Sequence, residues 1–320
     1  MRAPAARTLC AACCALVRLF DPRTTTSIGW ILLRKRALSH GGFLKYIRGL
    51  ATCLALFEGA TSTLRAQSAY ANTESGRPLR TEDAYVIERY RLDADVGPVT
   101  WQQSRKDGSW VVNPELIYGI LPRTQVQLAV PFGGRTANQG SVGVNDVELS
   151  GTYALNVETR SFPAFAVRGR GLIPVGDFGV RAGHTSLAAI ATRSFGWGRL
   201  SVNHEYTFGD EPPGSAAADP RFVAATVSRW WTGAAVDRAL PLRGLLLGLE
   251  VFARQPLATG SHPRWNAGAG VRYQLTNATV IDLGGGATFA GDDPSGMLTI
   301  GIARSVAVGN LFPGLGGWGR

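Results

Sequence analysis

The chain has 320 residues, of which 45% are hydrophobic and 18% are charged, and its mean hydropathy is +0.03. These values fit neither a disordered chain nor a helical membrane protein. The formal charge of +10 is unevenly spread: the first 66 residues carry ten Lys and Arg against two acidic residues, and the remaining 254 carry 23 basic and 21 acidic residues. The basic charge therefore belongs to the N-terminal segment, and it does not indicate nucleic-acid binding by the rest of the chain.

Residues 44–71 have the layout of an export signal. Two basic residues, Lys45 and Arg48, precede a short apolar run, and small residues with an Ala-x-Ala spacing end the segment at Ala71. This order of charge, apolar run and small residues is typical of a cleaved signal peptide. A membrane anchor is the alternative, but the apolar run is well short of the roughly 20 residues that a spanning helix requires.

Residues 1–43 precede this signal, although a signal peptide normally begins close to the initiator. We therefore expect translation to begin near Leu44 and residues 1–43 to be a non-structural extension. All the cysteines lie before residue 67, namely Cys10, Cys13, Cys14 and Cys53. The CxxC spacing has no partner pair or histidine cluster nearby, so it does not predict a zinc or redox site. A thiol-free exported chain is consistent with an oxidising compartment.

Apolar and polar residues alternate with a period of two from residue 82 onward. In residues 146–155, for example, Val147 and Leu149 share one face, whereas Glu148 and Ser150 share the other. Such alternation gives a strand one apolar and one polar face. The same template predicts twelve strands, near 84–96, 109–120, 124–132, 144–155, 164–173, 185–195, 200–208, 221–231, 245–253, 264–275, 279–289 and 296–308.

The connections between these strands separate a membrane barrel from a soluble β-sandwich. Long connections, such as 133–143 and 209–220, alternate with short turns, such as 121–123 and 196–199. This alternation is typical of a barrel whose two ends face the exterior and the periplasm. Strands of about ten residues with a tilt of about 40° span roughly 25 Å, the apolar thickness of an outer membrane. The sequence therefore predicts an all-β fold, an antiparallel transmembrane β-barrel of about 12 strands over residues 72–320, in a Gram-negative type envelope.

Aromatic residues are predicted to form two belts at the ends of the strands, where the rings would meet lipid headgroups. The predicted outer belt contains Phe132, Phe208, Phe252, Phe289, Trp110 and Trp265. The predicted inner belt contains Tyr118, Phe195, Trp197, Trp230 and Trp231.

Four stretches carry a resemblance to a known family. They read RPLRTEDAYVIERY (77–90), PELIYGILPRTQVQLAVPF (114–132), LSGTYALNVETRSFPAFAVRGRGLIPVG (149–176) and IATRSFGWGRLSVNHEYTFG (190–209). They resemble outer-membrane transport proteins related to those encoded with meta-cleavage phenol-degradation pathways. The resemblance covers roughly the first half of the exported chain. It implies an outer-membrane barrel, described as a channel for small organic compounds, and brings no catalytic residues.

The C-terminus departs from the usual pattern of outer-membrane barrels, whose terminal aromatic residue is read by the barrel-insertion machinery. This chain ends Trp318-Gly319-Arg320. Either Trp318 serves that role from a tail, or the last strand ends effectively at Val306 and Val308.

The polar face of the predicted wall carries charges of both signs, and in a pore such residues line water and select solutes. The predicted lumen-lining residues are Arg89, Arg91, Asp93, Glu115, Asp146, Glu148, Arg168, Arg170, Glu205, Glu250, Arg272 and Asp282. The alternative is that these charges pair across a narrow lumen and hold it shut. A barrel of twelve strands is intermediate in width between the small barrels that side chains fill and the wide porins. The strand number therefore does not decide whether the lumen is open.

The predicted function is passive passage of small solutes, which the resemblance implies to be organic compounds, with a closed structural or binding barrel as the alternative. No nucleotide-binding loop or energy-coupling domain is apparent in the sequence. A lipid-active enzyme is a further alternative, because His204 lies on the predicted apolar face. A nucleophile would have to face outward on a neighbouring strand, where the predicted register places Ala189 and Ala225. We therefore predict no enzyme activity.

No cofactor or metal site is predicted. His184 and His262 lie in predicted loops without a cluster of other ligands, and the acidic pair Asp292-Asp293 is more typical of a solvated loop than of a calcium site. The expected partners are the outer-membrane bilayer, the barrel-insertion machinery during biogenesis and a small solute of unknown identity, with no nucleic acid.

Overall fold

The structure is a computed structural model that describes residues 71–104, 108–135, 142–175, 183–209, 227–240, 244–257, 261–291 and 294–312. The predicted extension, nearly all of the predicted export signal and the end of the chain from residue 313 lie outside these ranges. No helix within them has the length and hydropathy of a transmembrane span.

Fifteen strands lie within the described ranges: β1 (Arg91–Ser104), β2 (Gly108–Val112), β3 (Glu115–Leu121), β4 (Thr124–Ala129), β5 (Phe132–Arg135), β6 (Val142–Val144), β7 (Val147–Ala154), β8 (Ala164–Ile173), β9 (His184–Phe195), β10 (Gly198–Phe208), β11 (Ser228–Ala239), β12 (Leu245–Pro256), β13 (Arg264–Thr276), β14 (Thr279–Ala290) and β15 (Ser295–Ala307).

These strands form one antiparallel sheet that closes on itself, because β15 returns to pair with β1 along its whole length, from Arg91 opposite Ala307 to Ser104 opposite Ser295. Three wall strands consist of two segments each, β2 with β3, β4 with β5 and β6 with β7. Counted in this way, the described ranges contain twelve wall strands. The predicted twelve-stranded antiparallel barrel is confirmed.

Proline accounts for two of the three interruptions in the wall strands. Pro114 separates β2 from β3, and Pro131 separates β4 from β5. Because proline has no N–H group, the regular ladder cannot continue through it. Single backbone bonds bridge the breaks, from the Val130 nitrogen to the Pro114 oxygen (3.2 Å) and from the Asn145 nitrogen to the Pro131 oxygen (2.8 Å). The wall therefore stays paired across them.

The two faces of the wall differ in chemistry as the alternation predicts. Along β12, Leu249 and Val251 are exposed on the outside, whereas Glu250 between them is buried on the inside. The same alternation of exposed apolar and buried polar residues runs along β10. An apolar outside and a polar inside are the arrangement of a barrel in the outer membrane. The predicted location is confirmed by this architecture.

The two ends of the barrel also differ. At one end the chain turns tightly, for example between β9 and β10 and between β13 and β14; we call this the short-turn end. At the other end, the long-loop end, the connections are mostly longer, as between β8 and β9 and between β10 and β11. The strand β1 begins and the strand β15 finishes at the short-turn end.

Two predicted strand bounds are wrong. The first predicted strand, 84–96, is replaced by β1, which begins only at Arg91, and residues 84–87 lie inside the barrel. Any extended segment between two different surfaces alternates in polarity, so the pattern did not distinguish a wall strand from a segment inside the wall. The eighth predicted strand, 221–231, ends too early, because β11 continues to Ala239 through its pairing with β10 and β12, and residues 221–226 lie outside the described ranges.

The predicted aromatic belts need a related correction. Trp231 and Phe252 are only 2% and 6% exposed and pack against each other inside the barrel, with ring centroids 6.5 Å apart. Trp230 lies at the start of β11, at the long-loop end instead of the inner rim. A shift of one residue turns a strand side chain to the opposite face. By contrast, Trp265 and Phe289 are exposed on the outside, near the long-loop end.

We expect an arginine in the middle of the lipid-facing wall to destabilise the barrel. Leu249 lies near the middle of β12 and is 64% exposed on the apolar outside. Leu249→Arg should lower the free energy of unfolding by about 2–4 kcal/mol, because a guanidinium at the bilayer midplane loses its hydration. The measurement is urea unfolding of the barrel in lipid vesicles, with Leu249→Val as the matched control. An arginine variant as stable as the valine variant would contradict lipid contact at this position.

Candidate functional site

Residues 71–87 lie inside the barrel, and we call this segment the plug. The plug folds back on itself through backbone bonds from the Gly76 nitrogen to the Leu79 oxygen (2.8 Å) and from the Asp83 nitrogen to the Thr73 oxygen (3.2 Å). It forms none of the described strands. Its backbone therefore needs hydrogen-bond partners other than a ladder, since a buried unpaired N–H group is costly.

Side chains of the wall supply those partners on several strands. Glu250 of β12 accepts bonds from the Arg80 and Thr81 nitrogens, the latter at 2.9 Å. Asn203 of β10 accepts from the Glu82 nitrogen at 2.7 Å and donates to the Glu82 oxygen at 2.9 Å.

Two further side chains of the wall, on β9 and β4, also accept hydrogen bonds from the plug backbone. Thr192 of β9 accepts from the Ala84 nitrogen, and Gln125 of β4 accepts from the Ile87 nitrogen, both at 2.9 Å. The plug thus crosses the lumen between distant parts of the ring.

One end of the plug inserts a guanidinium into an acidic part of the wall. Arg77 is 1% exposed, and its Nη2 lies 2.7 Å from the Asp95 carboxylate of β1. Its Nη1 lies 3.4 Å from Asp282 of β14, and Glu74 within the plug is a further partner. Arg272 of β13 bonds Asp282 at 2.5 Å and also donates to the Arg77 carbonyl at 3.0 Å. Buried charges require this kind of pairing, so these contacts fix both position and orientation of the plug.

The middle of the plug carries the opposite charge. Glu82 lies 2.6 Å from Arg168 of β8, and Asp83 lies 3.0 Å from Arg199 of β10. Burial raises the pKa of Glu82 to about 7, although Arg168 opposes the shift. Burial likewise raises the pKa of Asp83 to about 6, against the opposing effect of Arg199. The plug is therefore held at two parts of the wall, at acidic residues through Arg77 and at basic residues through Glu82 and Asp83.

Inward-facing glycines make room for the plug. Gly248, Gly270 and Gly284 lie directly across from one another on β12, β13 and β14. A Cβ at Gly270 would lie 2.6 Å from the Pro78 Cβ, and one at Gly248 would lie 2.7 Å from the Leu79 Cδ1. Any larger residue there would collide with the plug, so this row of glycines is its seat.

The structure places eleven of the predicted lumen-lining residues on the inward face of the wall: Arg91, Asp93, Glu115, Asp146, Glu148, Arg168, Arg170, Glu205, Glu250, Arg272 and Asp282. Arg89 differs, because it precedes β1, is exposed and places its guanidinium 4.4 Å from the Tyr90 ring centre. Many of the eleven contact each other or the plug. Arg168, for example, bonds Glu205 at 2.9 Å.

The sequence analysis missed the plug itself. Arg77, Glu82 and Asp83 were not singled out, and neither were their neutral partners on the wall, such as Asn203. One signal was present: residues 80–83 read Arg-Thr-Glu-Asp, four polar residues in succession. A wall strand with one face in lipid does not accommodate such a run.

His204 faces outward on β10, as predicted, and its neighbour on β9 is Ala189. The register on the other side is different, because His204 pairs with Thr232 and not with Ala225, and its Nδ1 lies 2.7 Å from the Thr232 Oγ1. Among the described residues, no group of three or more His, Cys, Asp and Glu is arranged to hold a metal ion.

No family model and no curated protein matches the chain. Among solved structures, the COG4313 outer membrane channel from Pseudomonas putida F1 matches with a TM-score of 0.51 and 15% identity, over 70% of this chain and 98% of that one. The NanC porin matches with a TM-score of 0.44 and 10% identity, over 67% of this chain and 98% of that one. Outer membrane phospholipase A from Escherichia coli has a TM-score of 0.39 and 10% identity, over 75% and 98%. At these identities the first match shows the fold alone, that of an outer-membrane barrel.

We expect the glycine seat to control how tightly the plug is held. Residues 72–320 contain no cysteine, so in a protein produced from residue 72 onward Leu79→Cys, at a position 2% exposed, introduces a unique thiol. Adding Gly270→Val should displace Pro78 and raise the rate of maleimide labelling at residue 79 by about tenfold, given the usual cost of overpacking. Gly169→Val is the matched control, because a Cβ there meets nothing within 4 Å. Equal labelling rates in the two variants would contradict a seat at Gly270.

Proposed function

We propose that this barrel is an outer-membrane channel for passive passage of small solutes, and that the plug is its gate. The supporting observation is the way the plug is held. The wall strands are joined by continuous backbone ladders, whereas side chains of the wall hold the plug through individual hydrogen bonds and ion pairs. Displacing the plug would leave every ladder intact, and water could then replace the lost polar contacts.

The lumen that such a movement would open is polar. Besides the predicted charges, its wall carries Ser150, Ser186, Thr207 and Thr299, all buried on the inside. Residues of this kind hydrate readily, as the walls of water-filled pores do. The further assignment to the transport proteins of meta-cleavage phenol-degradation pathways stays a proposal that rests on the four resembling stretches.

A closed barrel is the second candidate, and the buried ion pairs favour it. Arg77 with Asp95 and Glu82 with Arg168 are pairs between plug and wall in which each side chain is at most 12% exposed. Removing one partner from such a pair typically costs about 3–5 kcal/mol. A plug fixed by several of these pairs would serve the stability of the wall and not passage.

We propose no catalytic role for His204. Its described partner is the secondary hydroxyl of Thr232, and the facing residue on the other neighbouring strand is Ala189. Lipid hydrolysis by the purified barrel that is lost in His204→Ala would overturn this proposal.

A disulfide between plug and wall should hold the channel closed. The Leu79 Cγ lies 3.5 Å from a Cβ built at Gly248, and a sulfur lies about 3 Å from its partner's Cβ in a disulfide. In planar bilayers, the oxidised Leu79→Cys/Gly248→Cys variant should conduct at least about tenfold less than the reduced variant, because the closed state is then locked.

The single variants Leu79→Cys and Gly248→Cys, which form no such bond, are the controls and should not respond to oxidant. Equal currents before and after oxidation in the double variant would show that the plug is not the gate. Absence of current and of solute uptake in liposomes under all conditions, with a correctly folded barrel, would support the closed barrel.

The gate should open more readily as the pH rises from about 5 to about 7. Docked Glu82 has a pKa of about 7, against an ordinary value of 4.5, so between these values the docked plug binds a proton that a released plug would lack. Its neighbours are Arg168, Glu205, Asp83 and Arg170. The free energy of release then falls as the pH rises through this window, by linkage. The open probability of the channel should rise accordingly. Glu82→Gln should reduce this pH dependence and leave the contribution of Asp83, whose docked pKa is about 6. An opening that increases on acidification would contradict this sign.

A further inference from the structure

The Arg77 guanidinium lies between two carboxylates that belong to different wall strands. Its Nη2 lies 2.7 Å from the Asp95 carboxylate of β1, and its Nη1 lies 3.4 Å from the Asp282 carboxylate of β14. All three side chains are at most 2% exposed. The two terminal nitrogens of the guanidinium fork therefore each meet a carboxylate, which is the geometry by which proteins recognise this group.

The strand between these two carboxylates, β15, leaves room for the alkyl part of Arg77. Gly301 of β15 is the direct partner of Asp282 and faces the lumen. A Cβ built at Gly301 would lie 3.3 Å from the Arg77 Cδ and 3.9 Å from its Cγ. A larger side chain at this position would crowd the alkyl chain, so glycine here shapes the wall around an alkylguanidinium group.

This part of the wall is acidic. Asp95 lies directly opposite Glu115 of β3, and like charges at opposite positions of a sheet destabilise it. Arg272 attracts Asp95 as well, but its Nε bonds Asp282 at 2.5 Å and its Nη2 bonds the Arg77 carbonyl at 3.0 Å. Among the described residues, the Asp95 Oδ1 is buried without a hydrogen-bond partner. Asp95 therefore requires a further cation, and Arg77 provides it.

That cation belongs to the plug and not to the wall. The remaining acidic partner of Arg77 is Glu74, which also belongs to the plug, so the two side chains would leave together if the plug moved. The wall would keep three carboxylates, those of Asp95, Glu115 and Asp282, beside the Arg272 guanidinium. A released plug thus leaves an acidic place whose shape already fits a guanidinium group.

We propose that Asp95, Asp282 and Gly301 form a binding site for the guanidinium group of a small organic cation, and that Arg77 fills this site in the docked plug. A free guanidinium would make the same two carboxylate contacts, and its alkyl part would lie over Gly301. Ligand and Arg77 exclude each other, so binding would favour the released plug. The site itself depends only on the wall, whereas its effect on passage rests on the proposed channel function.

Binding can be measured without transport, by refilling the site after Arg77 has been shortened. Arg77→Ala removes the atoms that N-ethylguanidinium contains, and N-ethylurea is its neutral control. The readout is the midpoint temperature at which the full-length barrel in detergent loses its heat-modifiable gel mobility, which a ligand of the folded state raises. Arg77→Ala should lower this midpoint because Asp95 loses its partner. We expect N-ethylguanidinium to raise it again, and N-ethylurea at the same ionic strength to leave it unchanged.

A second substitution locates the rescue. Asp95→Asn in the Arg77→Ala background should weaken the effect of N-ethylguanidinium by at least about tenfold in concentration, the usual loss for a charge-assisted hydrogen bond. Glu88→Gln in the same background is the matched control, because Glu88 is an exposed acidic residue outside the plug, and the rescue should persist. An equal rise with N-ethylurea, no rise with N-ethylguanidinium, or a full rise in the Asp95→Asn variant would overturn the site.

Competition with Arg77 gives a test that does not depend on the folding of Arg77→Ala. In a Leu79→Cys protein produced from residue 72 onward, N-ethylguanidinium should speed maleimide labelling, because it holds the plug released. The rate should rise in proportion to one plus the ratio of ligand concentration to Kd, about tenfold at ten times Kd. N-ethylurea should have no effect. A rate that N-ethylguanidinium leaves unchanged over the millimolar range would overturn the competition.

The outcomes also separate the site from the channel. Rescue of Arg77→Ala in a barrel that never conducts would leave the site standing and reject the channel. Conduction without rescue and without faster labelling would reject the site and leave the channel standing.

Discussion

The structure depends on one constraint, which is that every backbone N–H and C=O group inside the lipid layer must be bonded within the protein. A sheet satisfies that constraint only when it has no free edge. Here the pairing of β15 with β1 over their full lengths removes the edge. The single backbone bonds beside Pro114 and Pro131 keep the wall paired where proline interrupts the ladder. Because the closed wall leaves no sheet edge unpaired, the interior of the barrel can be polar.

The plug obeys the same requirement by other means. Its N–H groups are bonded by Glu250, Asn203, Thr192 and Gln125, side chains on four different strands. Such bonds add little net free energy each, whereas leaving the groups unpaired in the lumen would cost more. The charged side chains of the plug are paired as well. Arg77 lies among carboxylates, and the acidic residues of the plug lie beside arginines. A segment held by many exchangeable polar contacts is suited to move as a unit when water can replace them.

The sequence by itself determined the wall. Alternation with period two, as in residues 146–155, fixes which side chains meet lipid, because a strand has only two faces. It also placed ten of the twelve wall strands close to their observed ranges and the predicted charges, such as Glu205 and Asp282, on the inward face. Only the tertiary structure decided what those charges bind. Residues 84–87 alternate like a strand, yet the closed ring had no place for them in the wall, so they lie in the lumen. Likewise, the meeting of Gly270 with Pro78 depends on strand register and on contacts between residues far apart in the chain. Local patterns carry no information about such distant pairs.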